Sequence, residues 1–245
     1  MSTAAAATAH SSTVTPTPTS TAAPAVPLER TLARLAVVAG LCALAMLGIA
    51  LATGVSQEPL QVVQSPEHYA ALLLARPLIL RLIFAIDGMF LIVYGTYFAL
   101  QAGWLVRERP ARRAGVYLAT GLLLVTAILD AIENLHIVTM LTALQHGTAP
   151  AMGEIAFQNV LSAMKFTSSY AGLFGLAFVL PRRTWLERAL ATSMFVYAPI
   201  GVLAHVAPHE WVKPLVLARL VFFVGGLFGY AKVFADRAAA ARPAE

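Results

Sequence analysis

Asp130, Glu133 and Asn134 stand at i, i+3 and i+4 within the run Leu129-Asp130-Ala131-Ile132-Glu133-Asn134-Leu135-His136. On a helix that spacing places all three on one face. The flanking sequence, from about residue 116 to 144, is otherwise largely apolar. Two carboxyls one turn apart in such a setting suit acid–base chemistry, because desolvation and mutual repulsion keep one protonated while the other stays ionised. Lys165 adds a base inside another apolar stretch, where a buried lysine readily changes its charge state. Asp130, Glu133, Asn134 and Lys165 are therefore the candidate catalytic residues. Asp87, Arg219, Asn159 and His136 are the candidate substrate-binding residues, since they too are polar groups within apolar segments.

What must position them is a set of membrane helices. Of 245 residues, 59% are apolar and 12% charged, against roughly a quarter charged in a soluble domain. Mean hydropathy is +0.74. The expected fold class is all-α: a polytopic membrane protein built as a six-transmembrane-helix bundle. Ionisable groups in such spans are costly and usually face a protein interior or a water-filled cavity.

Residues 1–27, rich in Ala, Ser, Thr and Pro, lack the apolar side chains to offset ordering entropy and are expected to form a disordered tail. Residues 28–237 form the expected membrane domain and 238–245 a short C-terminal tail. The spans are read at about 35–53, 78–106, 115–144, 155–180, 189–206 and 214–231. The first also has the flanks of a cleavable signal peptide, but its long preceding tail and core length favour an uncleaved anchor. Between the first two spans, Ser65-Pro66-Glu67 has the form of an N-cap, a proline at N1 and a first-turn acid, so residues 68–75 fit a short interfacial helix and equally a plain loop. Pro199 falls inside the fifth span, where it removes a backbone donor.

Orientation follows from the basic residues. Arg30, Arg34, Arg107, Arg109, Arg112, Arg113, Arg182, Arg183, Arg188, Lys232, Arg237 and Arg242 flank one side, and Arg76 and Lys213, with Arg81 at the boundary, flank the other. Lys and Arg collect on the cytoplasmic side. Both termini are thus expected in the cytoplasm, in a bacterial-type plasma (inner) membrane. Membrane placement also accounts for the net charge of +5, and no nucleic-acid motif accompanies it, so no nucleic-acid partner is expected. Trp104, Trp185 and Trp211 fall near span ends, as interfacial aromatics do.

Depth follows from the helical rise. Asp130 lies about 22 Å from the inner edge, while Lys165 and Asp87 lie about 15 Å and 13 Å below the outer one. Arg219, His136 and His205 come out at similar or shallower outer depth. Four spans therefore deliver ionisable groups to one layer, in the outer half of the bilayer, and their convergence is expected.

Other motifs are thin. His205 and His209 stand at i and i+4 with Pro208 between them. They are the candidate metal ligands, although two histidines without HExxH do not assign a metal. In that dyad alone the chain resembles the membrane ceramidase-like hydrolases; its span count departs from theirs, and no residue role is carried over. Gly225-xxx-Gly229 and Ala171-xxx-Gly175 read as helix packing and allow a helix-mediated homo-oligomer. The single cysteine, Cys42, lies in an apolar run and reads as a small buried hydrophobe. No phosphate loop, nucleophile elbow or haem-ligand pairing is present, so no cofactor is expected.

The leading functional expectation is a buried acid/base cluster that binds or transforms a lipid-like or small amphiphilic substrate, with membrane lipid as the surrounding partner. A transporter or proton/cation relay using the same carboxylates stays open, as does a non-catalytic membrane partner protein whose cluster only fixes helix packing.

Overall fold

The computed structural model describes residues 28–206 and 209–240, apart from the side chains of residues 205, 206, 209, 210, 212 and 213. Among these residues all regular structure is helical: α1 (Leu28–Thr53), α2 (Pro66–Ala75), α3 (Pro77–Glu108), α4 (Arg113–Gln145), α5 (Met152–Val179), α6 (Trp185–Val206) and α7 (His209–Ala240). Short 3-10 turns lie at Glu58–Gln61 and Pro110–Arg112.

Helices α1, α3, α4, α6 and α7 carry segments long and apolar enough to cross a membrane. The chain is a multi-pass membrane protein with buried charged residues. The fourth expected span, α5, is 28 residues long but does not join that set by composition. The reason is its polar face, which carries Gln158, Asn159, Ser162, Lys165, Ser168 and Ser169.

The six long helices close into a ring in chain order. α1 packs on α3, α3 on α4, α4 on α5, α5 on α6, α6 on α7, and α7 returns to α1. The outer surface is apolar, with Leu51, Leu78, Ile92, Leu118 and Leu135 all strongly exposed. Water would tolerate so broad a surface poorly, whereas lipid matches it.

Small residues set the closest approach. A Cβ at Gly172 would come within 2.8 Å of Leu123 and 3.1 Å of the Ala119 carbonyl, and one at Gly175 within 3.2 Å of Ala119. Gly172 and Gly175 thus let α5 lie tight against α4, the two helices that hold most of the charge. At the α6–α7 contact the close residue is Gly229, which faces Leu190, while Gly225 faces open space.

The two ends of the ring are closed differently. At the end where α1 stops, Ser65 caps α2 by accepting from the His68 backbone N–H (3.3 Å), and Pro66 occupies the first turn. Tyr69 donates to the Leu60 carbonyl (3.1 Å), locking α2 to the preceding turn. Leu60, Tyr69 and Leu73 then pack on Leu80, Phe84, Ile137, Met140, Leu141 and Ile155, so the connection is fastened over α3, α4 and α5. At the other end, Arg237 pairs with Glu187 (2.5 Å) and Glu108 (3.6 Å), Arg183 pairs with Glu108 (2.7 Å), and Trp104 donates to Glu29 (3.1 Å). Trp104 is buried beneath the Arg237 guanidinium, unlike the exposed Trp185 and Trp211. Its indole N–H has a carboxylate partner in Glu29, so the ring packs into the protein rather than facing outward.

Candidate functional site

The charged residues of α3, α4 and α5 meet inside the ring. Lys165 Nζ lies 3.0 Å from Asp130 Oδ1 and also makes an ion pair with Glu133 Oε2. Sequence periodicity explains the meeting. Gln158, Ser162 and Lys165 recur at i, i+4 and i+7 on α5, opposite Asp130 and Glu133 at i and i+3 on α4. Glu133 is fully buried and its Oε1 accepts from Ser162 Oγ (2.6 Å) and Gln158 Nε2 (3.1 Å). A buried carboxylate survives only with such partners, because an unpaired one costs several kcal/mol.

Asp87 forms a second, adjoining centre. Its Oδ2 accepts from Asn134 Nδ2 (2.6 Å) and from Gln57 Nε2 (3.2 Å). Asn134 therefore serves the α3 acid rather than its α4 neighbours, and the residue before the 3-10 turn reaches down to the same oxygen. His136 is one step further out. Its Nδ1 and Gln158 Oε1 are 2.8 Å apart, its ring meets Phe157 edge-on, and Gln158 relays the contact to Glu133. Since the Gln158 oxygen can only accept, His136 donates there and carries its proton on Nδ1.

A cavity of about 200 Å³ opens beside this cluster, with Asp130, Lys165, Arg219 and Tyr94 among its lining groups. Its apolar wall includes Phe90, Phe98, Leu123, Leu173, Leu220 and Phe223. A second space of about 420 Å³ shares Lys165, Phe166 and Arg219 with the first. It runs along α1 past Ala43, Met46, Leu47 and Ala50 to the strongly exposed Leu51. Glu58, on the 3-10 turn, stands at the edge of both.

Of the expected site residues, Asp130, Lys165 and Arg219 line these spaces, whereas Glu133, Asn134 and Asp87 stand behind the wall. His136 and Asn159 lie elsewhere. Asn159 donates to the Gln61 carbonyl (3.0 Å) and so ties α5 to the covering turn. Arg219 has no ion-paired carboxylate among the described residues. It donates to Tyr170 Oη (3.1 Å), and its guanidinium lies 4.6 Å from the Phe166 ring centroid. Lys165 approaches that same ring at 4.8 Å, so one aromatic ring receives both cations. The side chains of His205 and His209 lie outside the described residues. Among the described residues no group of three or more His, Cys, Asp or Glu could hold a metal.

Sequence reasoning overlooked Gln57, Glu58, Gln158 and Tyr94. Gln158 had a readable signal, its spacing from Ser162 and Lys165. Tyr94 lies seven residues after Asp87 on α3 and shares its face. Gln57 and Glu58 belong to a connection whose path over the bundle no local pattern specifies.

Removing Lys165 alone leaves two buried carboxylates facing each other. Lys165→Met should lower stability by about 3–5 kcal/mol, the usual result of stranding a buried charge. The triple variant Lys165→Met/Asp130→Asn/Glu133→Gln, which strands none, should recover most of that loss. Thermal unfolding in a mild detergent measures both, and a Lys165→Met protein as stable as the parent would contradict the pairing.

Compared with protein-family models, curated proteins and solved structures, the chain has no match.

Proposed function

We propose that this protein binds a lipid-like amphiphile in the cavity between the charged cluster and α7, and that Asp130 is the group able to exchange a proton with it. One observation carries the reading: a polar floor of Asp130, Lys165 and Arg219 faces apolar walls that continue toward the periphery along α1. A head group needs the first surface and a hydrocarbon chain the second. Asp130 retains 14% side-chain exposure while Glu133 keeps 1%. Within the buried cluster Asp130 is thus the carboxyl within reach of a bound molecule. Glu133 positions Lys165, and Lys165 holds Asp130 in place. If the bound molecule is transformed, acid–base catalysis by Asp130 is the chemistry these residues supply.

In the same proposal α5 is a sixth span. It lies between two long apolar helices in the ring and turns its polar face toward α4, and a polar face directed inward is compatible with lipid outside. Residues 28–237 then form one membrane domain with six crossings. The basic end, with Arg107, Arg109, Arg112, Arg113, Arg182, Arg183 and Arg188, faces the cytoplasm of a bacterial-type membrane. Both termini lie on that side, and the cavity lies in the outer half of the bilayer.

Two experiments test the reading. Filling the cavity with Leu220→Trp should expel a co-purified amphiphile detected by native mass spectrometry. Leu118→Trp, on the exposed outer surface, should keep it. Parent protein free of amphiphile and indifferent to added ones would end the proposal. For orientation, a Cys42→Ala background should make Gln64→Cys reactive toward an impermeant maleimide in intact cells. Arg109→Cys should react only after permeabilisation, and the reverse pattern would invert the topology.

A further inference from the structure

The donors and acceptors around the cavity are unevenly satisfied. Each buried carboxylate already faces donors. Asp130 and Glu133 share Lys165, Glu133 also receives Ser162 and Gln158, and Asp87 receives Asn134 and Gln57. The unmatched groups are donors. Arg219 uses one N–H on Tyr170 and is otherwise without a hydrogen bond or ion pair among the described residues. Tyr94 is 5% exposed, its hydroxyl has no hydrogen-bond partner, and it lines the same cavity. A buried hydroxyl left unmatched is costly, so Tyr94 gains a partner if its side chain shifts to meet an acceptor in the cavity it lines.

From this imbalance we propose that the ligand is a single-chain amphiphile whose head is an oxyanion, a carboxylate or a phosphate. The assignment rests on the cavity being an amphiphile site. The head accepts from the Arg219 guanidinium and the Tyr94 hydroxyl, and Arg219 presents paired N–H groups suited to such oxygens. The chain leaves along α1 through the space bounded by Met46, Leu47 and Leu51. Asp130 does not repel the head strongly because Lys165 is held against it. Glu58 sits at the exposed rim, where solvent screens its charge.

The test is a titration of the delipidated full-length protein in a nonionic detergent with four probes of equal chain: oleate, oleoyl lysophosphatidate, monoolein and oleylamine. At least one of the two anions should bind about tenfold more tightly than monoolein and oleylamine, a ratio expected of one charged hydrogen-bonding partner. Preference for oleate identifies a carboxylate head, and preference for lysophosphatidate a phosphate head. Arg219→Gln should abolish the preference, bringing the anions down to the level of monoolein measured in the same variant, Arg219→Lys should retain part of it, and Tyr94→Phe should weaken it a few-fold. Tightest binding of monoolein or oleylamine would overturn the oxyanion assignment while leaving the amphiphile site standing. So would an unaltered anion preference in both Arg219→Gln and Tyr94→Phe. Failure of all four probes to bind would overturn both.

Discussion

A lysine ammonium held between two carboxylates, in a chain whose exterior is built for lipid, is the constraint on which the structure depends. None of the three groups is tolerable there alone. Lys165 needs Asp130 and Glu133, and both acids need Lys165. Their demand for one another fixes the rotation of α4 against α5, and Gly172 and Gly175 permit the short separation that the ion pairs require. Polar pairing and backbone packing thus select the same arrangement. Their agreement is what gives a bundle one register in an environment where apolar contacts alone discriminate little.

From that pair the rest of the site is built outward. Ser162 and Gln158 complete the coordination of Glu133, and Gln158 links it to His136. On the other flank Asn134 crosses to Asp87, which also receives Gln57 from the covering connection. The cover is therefore bonded to the charged interior rather than laid across it. On the α7 side Arg219 and Tyr94 line open volume, Arg219 without an ion-paired carboxylate among the described residues and Tyr94 with an unpartnered hydroxyl. That asymmetry is what the proposed amphiphile site rests on.

Much of this was legible in the residues themselves. Asp130, Glu133 and Lys165 announced themselves because ionisable groups are rare in apolar segments, and helical rise put them at one depth. Ser65 and Pro66 carried the cap chemistry of α2, but a plain loop fitted the same residues equally until the structure showed the helix. What could not be read was azimuth. Arg219 shares the layer of the acids but turns toward Tyr170 and Phe166, and Asn134 turns from its own helix to α3. Periodicity says which residues share a face, not which neighbour that face will meet. Trp104 shows the same limit, since position near a span end does not distinguish an interfacial ring from one drawn inward by Glu29. The polar face of α5 shows another: the groups that build the site also lower its hydropathy below that of the surrounding helices.

The most direct test is a solid-state NMR measurement of dipolar coupling between the Lys165 side-chain nitrogen and the carboxyl carbons of Asp130 and Glu133, in lipid bilayers. A lysine bridging both acids should show coupling to both carbons at separations on the order of 4 Å. Absence of coupling to either carboxyl, with the protein folded, would contradict the ion-paired centre and the cavity built beside it.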